Sequence, residues 1–198
     1  ASMFGLNRPS GIEISETTPE LTTEDPERSA MGQGTNSYSN VQLSRYVAAI
    51  ANSGTVFDLS LLDKMTDSEG NLIQDFTPEA TGHVDIADST WDAVHQGMRA
   101  VITDGSVNKI FKDLEVEIAG KTGTAQESRT RGNHAFFISY GPYTNPEICV
   151  TVNIPYGYSS SNAAMVAKNV YRFYYGYTDL ESILGSGALE VSNVKVGD

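Results

Sequence analysis

Apolar residues recur along this chain with two periods, and the switches between those periods mark its elements. Leu43, Tyr46, Val47 and Ile50 fall on one face of a helix. Ser39-Asn40-Val41-Gln42 ahead of them is a capping box, in which each side chain satisfies the other residue's backbone amide. Asn52-Ser53-Gly54 is a helix stop. Trp91, Val94, Met98 and Val101 make a second helical face, capped by Asp88, Ser89 or Thr90 and ended by Gly105. His95 lies at the border of that face and reads as a core-edge residue. A third helix follows Ser159 to Ser161, with Ala163, Val166, Ala167, Val170 and Phe173 as its expected buried stripe.

The other period is that of strands. Thr55 to Met65 and Leu72 to Phe76 are expected to form a hairpin around Ser68-Glu69-Gly70-Asn71. Val116 and Ile118 alternate with Glu115 and Glu117, opening a strand that runs to Gln126 after a short connector over 107–114. Ala135 to Tyr140 and Ile148 to Ile154 are apolar strands joined by the turn Gly141-Pro142-Tyr143-Thr144-Asn145-Pro146. Residues 1–37 are turn-rich and acidic, with one short strand expected at Ile12 and Ile14. An amino terminus inside such a loop system suggests a chain cut from something longer. Residues 178–198 carry Gly185, Ser186 and Gly187 without a sustained pattern and are expected to be a loosely held tail behind a folded unit of 1–177.

Composition narrows the function classes. The chain has 198 residues, 39% of them hydrophobic, enough for one domain with a sizeable core. A formal net charge of −12 argues against nucleic acid as a partner. The single cysteine, Cys149, excludes an internal disulfide and a multi-cysteine metal site, and its apolar surroundings suggest a buried thiol. His83, His95 and His134 are scattered without ligand spacing, so neither a metal nor a cofactor is expected. Neither a membrane-spanning segment nor a signal peptide is read in these residues, and the stretch is expected to be soluble.

The candidate chemistry sits at the end of the 116–126 strand. Lys121-Thr122-Gly123-Thr124 offers a cation, two hydroxyls and a residue with no side chain, a set that suits an anionic, extended ligand. Lys121, Arg129 and Arg131 against Glu127 reverse the charge of the chain locally and favour a carboxylate-bearing substrate. The plain alternative is a strand end with a solvated lysine. K-T-G is also one of three signatures of penicillin-binding proteins and class A β-lactamases, beside S-x-x-K and S-D-N. The other two lack a credible match. Ser106-Val107-Asn108-Lys109 fits S-x-x-K and S-x-N at once, but one tetrapeptide cannot supply two separate walls, and Ser106 follows a helix-ending glycine. Ser160-Ser161-Asn162 reads as a helix cap. Gly32-Gln33-Gly34 lacks the third glycine of a dinucleotide loop, and Glu115 stands where a phosphate loop ending in Gly120-Lys121-Thr122 needs glycine.

The ordered landmarks resemble the carboxy-terminal half of the transpeptidase domain of class B penicillin-binding proteins. They are Phe4-Gly5-Leu6 with Gly11-Ile12-Glu13-Ile14, then Gly32-Gln33-Gly34, Gln42 to Gly54, Trp91 to Met98, Ala119 to Gln126, and His134-Ala135-Phe136-Phe137 on to Tyr143. The resemblance covers roughly residues 4 to 175. It implies an α+β, partial β-lactamase/transpeptidase-like fold. Residues 116–126, 134–141 and 147–154 would be the last three strands of a five-stranded antiparallel sheet flanked by helices, with 160–175 as the closing helix. The remaining strands and the catalytic helices would lie upstream of Ala1.

The implied activity is D,D-transpeptidation of cell-wall stem peptides through a serine acyl-enzyme, with β-lactams acylating the same serine. Lys121 and Thr124 would be catalytic; Thr122, Gly123 and Thr124 would bind the substrate's terminal carboxylate, with the Thr124 amide as an oxyanion donor. The nucleophile is not in this chain, which is expected to be inactive alone. The implied partners are D-Ala-D-Ala stem peptides, β-lactams, the missing amino-terminal part and division or elongation machinery. The implied location is the extracytoplasmic face of the bacterial cell membrane, with the anchor outside these residues. Two alternatives stand beside this: a non-catalytic module of the same fold that binds cell-wall peptides or a partner, and a β-lactamase or β-lactam sensor. In a regular strand Thr122 and Thr124 face away from Lys121, so a shared site needs an edge strand or a local twist.

Overall fold

The computed structural model describes residues 1–23, 26–127 and 130–187. A short helix α1 (Pro26–Ala30) precedes α2 (Asn40–Ala51). The capping box forms as predicted: the Ser39 hydroxyl accepts from the Gln42 amide at 3.2 Å, and the Gln42 side chain accepts from the Ser39 amide at 2.9 Å. Helix α2 buries Val47, Ile50 and Ala51 against Met98 and Tyr140. It ends where Ser53 and Gly54 turn left-handed, at φ 60° and 116°. A Cβ on Gly54 would lie 2.7 Å from the Val84 carbonyl oxygen, so this turn accepts only glycine.

Helix α2 also anchors the amino-terminal segment. The Arg45 side chain is fully buried and donates to the carbonyls of Gly5, Arg8 (2.9 Å) and Pro9 (2.7 Å). Burial pushes Glu16 towards the neutral form, but the Ser10 hydroxyl and amide and the Ser39 hydroxyl outweigh it and hold this carboxyl below its usual range. The expected strand at Ile12 and Ile14 is absent: the Glu13 carboxylate between them accepts from the Ser60 hydroxyl and the Leu61 amide, and Ile14 is exposed.

The expected hairpin is present but divided. Thr55 to Met65 is not one strand: β1 (Thr55–Phe57) pairs with β4 (Ala80–His83), whereas β2 (Lys64–Thr66) pairs with β3 (Leu72–Asp75). Strand β4 escapes the sequence reading because all four residues are exposed and show no alternation. Helix α3 (Asp88–Thr103) buries Trp91, Met98 and Ile102; its N-cap is Ala87, without a side-chain bond, so none of Asp88, Ser89 and Thr90 caps it. His95 sits at the core edge, its Nε2 2.8 Å from the Ile50 carbonyl oxygen. The connector contains a single turn of helix, α4 (Asn108–Phe111).

The principal sheet is three-stranded and antiparallel, ordered β5 (Ala119–Ala125), β6 (His134–Gly141), β7 (Ile148–Ile154). Strand β5 starts later than the alternation of Val116 and Ile118 predicts. Its last partner is Tyr140; beyond it the chain turns at Pro142, and the Glu117 carbonyl accepts from the Tyr143 amide at 2.7 Å while its carboxylate pairs with Arg99 at 2.7 Å. One sheet face carries Phe137 and Val150 against helix α5 (Ser160–Tyr174). The other carries Tyr140 and Cys149 against α2. These layers give the expected α+β fold.

The stripe expected on α5 holds at Ala163 and Ala167 and fails at Val166, Val170 and Phe173. Ala163, Ala164, Ala167 and Tyr171 are buried, whereas Val166, Val170 and Phe173 are exposed. Small residues let the helix lie close to the sheet, and Tyr171 reaches in to donate to Ser139 at 3.0 Å. The first part of the expected tail holds a helix, α6 (Leu180–Gly187); the expectation for 188–198 falls outside the described residues.

Candidate active site

Strand β5 pairs with β6 on one side and has no strand on the other among the described residues. The register sets Lys121 opposite Ile138 and Gly123 opposite Phe136, on the α2 face; Thr122 and Thr124 pair with Phe137 and Ala135, on the α5 face. All four nonetheless line a single cleft of about 640 Å³. The cleft takes in Phe136, Ile138 and Asn153 on the α2 face of β6 and β7 as well as the open strand β5, so it holds the lysine and both threonines together.

Lys121 is exposed, and its ammonium donates to the Thr122 carbonyl at 2.8 Å. No hydrogen bond occupies the Thr122 or Thr124 hydroxyl among the described residues. A Cβ on Gly123 would come 3.1 Å from the Phe136 Cβ, so a side chain here would press on the cleft's apolar floor. Asn153, on that same floor, keeps a buried amide oxygen without a partner among the described residues.

The facing wall is the Met31–Tyr38 stretch, including Gly32-Gln33-Gly34. Asn36 stiffens it by accepting from the Thr22 amide (3.0 Å) and the Tyr38 hydroxyl (2.9 Å) while donating to the Gln33 carbonyl (3.2 Å). At the far end of β5, Glu127 accepts from His134 at 3.0 Å and from the Tyr156 hydroxyl at 3.2 Å. The His134 hydrogen bond first, and the Tyr156 one second, hold the Glu127 carboxyl below its ordinary value.

The two serine motifs set aside as catalytic stay outside this cleft. Ser106 and Lys109 do not line it, and Ser159 is the N-cap of α5, with Asn162 bonded to the Gly157 carbonyl at 2.9 Å. Ser37 lines the cleft, but position 40 is Asn, so no lysine stands one helical turn on. The sequence reading missed the cleft roles of Gln33, Asn36, Glu127 and Asn153. Phe136 and Ile138 carry a signal that was legible, since period two places them beside Gly123 and Lys121 once β6 pairs with β5. Arg129 lies outside the described residues, so the local positive field rests here on Lys121 and Arg131. No cluster of metal-ligating side chains occurs among the described residues, and no described helix is long and apolar enough to cross a membrane. The arrangement suits an extended anionic ligand.

Comparison with known proteins converges on one family. The model of the penicillin binding protein transpeptidase domain matches residues 1–172. The peptidoglycan D,D-transpeptidase MrdA of Haemophilus influenzae is 29% identical over 206 residues, covering 86% of this chain and 31% of that protein. Penicillin-binding protein 2B of Streptococcus pneumoniae superposes with a TM-score of 0.77 at 27% identity, over 90% of this chain and 32% of that one. Pseudomonas aeruginosa PBP2, solved in complex with WCK 5153, gives 0.71 at 28% identity, over 87% of this chain and 42% of that one. The chain thus spans about a third of the length of the relatives it matches. The matched stretch, the three-stranded sheet under α5 and the open Lys-Thr-Gly strand agree: this chain belongs to the transpeptidase-domain family of the class B penicillin-binding proteins.

Proposed function

We propose that this chain forms the substrate-docking wall of a peptidoglycan D,D-transpeptidase that cross-links stem peptides through a serine acyl-enzyme. The observation that carries the reading is the open edge of β5, where Lys121, Thr122, Gly123 and Thr124 line one cleft. A peptide ending in D-Ala-D-Ala would lie along this edge as an added strand, its backbone setting the register. The Thr122 and Thr124 hydroxyls, which have no hydrogen bond among the described residues, would hold its carboxylate. Lys121 would leave its bond to the Thr122 carbonyl to join the polar network around the reacting serine. The Thr124 amide would stabilise the developing oxyanion, a contribution of roughly 2.7–4 kcal/mol.

The attacking serine is supplied by residues outside these 198. It adds to the penultimate D-Ala carbonyl, the terminal D-Ala leaves, and an amine of a neighbouring stem resolves the ester. β-Lactams acylate the same serine. The whole protein would work at the extracytoplasmic face of the cell membrane, where its substrate is, alongside division or elongation machinery. Intact-mass measurement tests this reading. The 198-residue chain incubated with a β-lactam should gain no adduct, and the nucleophile-bearing protein should gain one. In that protein Lys121→Ala should slow acylation by about 10²-fold or more. An adduct on Ser106 of the isolated chain would overturn the assignment.

A further inference from the structure

We propose that Glu127, His134, Tyr156 and Arg131 form a latch that fixes the far end of the β5 groove, which makes them positioning residues for a substrate lying along that strand. Three strand ends meet here. Glu127 follows β5 by two residues, His134 opens β6 and Tyr156 follows β7, while Arg131 belongs to the β5–β6 connection. Glu127 accepts from His134 (3.0 Å) and Tyr156 (3.2 Å), and Arg131 donates to the Tyr156 hydroxyl at 2.8 Å with its guanidinium 5.4 Å from the ring centre. The His134 and Tyr156 rings lie 4.9 Å apart. Glu127 and His134 line the cleft; Arg131 and Tyr156 brace them from outside it.

Stability alone does not account for this cluster. The Glu127 side chain is 57% exposed, and an ion pair so open to water adds little to folding. Against that, Tyr156 and Tyr158 both hold left-handed backbones, at φ 55° and 61°, which are unfavourable for non-glycine residues. The second of these lets the Tyr158 amide donate to the Asn133 carbonyl at 2.9 Å, gripping the same connection from another point. Backbone strain kept beside a weak surface pair points to position rather than stability. A strand bound on one side only frays at its end, and a ligand that needs the end in place then meets fewer competent molecules.

The inference rests on β5 being the substrate edge, and its test separates the two claims. Acylation of the nucleophile-bearing protein by a cephalosporin is followed against concentration in the wild type, Tyr156→Phe and Glu127→Ala. Both variants should raise the half-saturating concentration about threefold or more, in proportion to the lost competent fraction. The limiting rate should stay within about twofold. Glu127→Gln, which keeps an acceptor, should recover most of the loss. An unchanged half-saturation, or a loss confined to the limiting rate, overturns the latch alone. A wild type that is never acylated overturns the β5 reading and the latch's role with it. If Glu127→Ala fails to fold, Tyr156→Phe, which removes a single hydroxyl, decides the matter.

Discussion

Thr122 and Thr124 each carry a hydroxyl that the fold does not use among the described residues, so removing it should disturb binding and leave packing intact. Thr122→Ala in the nucleophile-bearing protein should lose one hydrogen bond to an anion, about 1.5–3 kcal/mol, and weaken substrate capture roughly tenfold to a hundredfold. The melting temperature should not move; acylation kinetics beside a thermal melt check both halves. Glu127 gives a pH dependence at the same scale. Its pKa is lowered by His134 and Tyr156, with help from the His134 and Arg131 charges, and Lys121 shares the cleft. The contacts of this carboxylate are therefore complete above the ordinary carboxylate range and are lost as pH falls through the lowered value. The half-saturating concentration for acylation should rise only on that acid side. That Lys121, Thr122, Gly123 and Thr124 come together was legible in the sequence because they are contiguous. Gln33, Asn36 and Asn153 were not, because only the fold brings those distant residues to the cleft.

Elements follow the sequence where a local device fixes them. The Ser39–Gln42 box sets the start of α2, and the left-handed Ser53-Gly54 pair sets its end. Gly54→Ala should destabilise the protein by several kcal/mol, since the strained φ and the contact with the Val84 carbonyl add together. Urea unfolding at constant m-value measures it. Arg45 was not legible as an anchor, because on α2 it reads as a surface charge; its role depends on carbonyls 36 to 40 residues away. Arg45→Met should cost about 2–4 kcal/mol by leaving three carbonyls without their charged donor. Faster hydrogen exchange confined to the amino-terminal segment would accompany it. Helix α5 shows where periodicity alone fails. Val166, Val170 and Phe173 and the set Ala163, Ala167 and Tyr171 both recur at helical spacing, and close approach to the sheet decides for the smaller residues.

At the scale of the whole molecule, two helical layers enclose the sheet and leave β5 open. Cys149 reports on that packing: half-buried against α2 rather than fully buried as expected, its thiol is pushed by desolvation up to about 11. Alkylation at pH 8 should therefore be at least about tenfold slower in the native protein than in urea, and rapid native labelling would mean that α2 does not cover β7. The β6–β7 hairpin was legible because both are apolar runs with a short turn between them, and the place of β5 beside them followed from the family resemblance; the division of the 55–83 region was not legible, since β4 is exposed and pairs at long range. That β5 receives a peptide's carboxyl end is tested most directly by a crystal structure of the nucleophile-bearing protein acylated by a β-lactam. The expected result places the ligand carboxylate within about 3 Å of the Thr122 and Thr124 hydroxyls, with its amide alongside β5. A carboxylate held by other residues, with the β5 edge untouched, would contradict it.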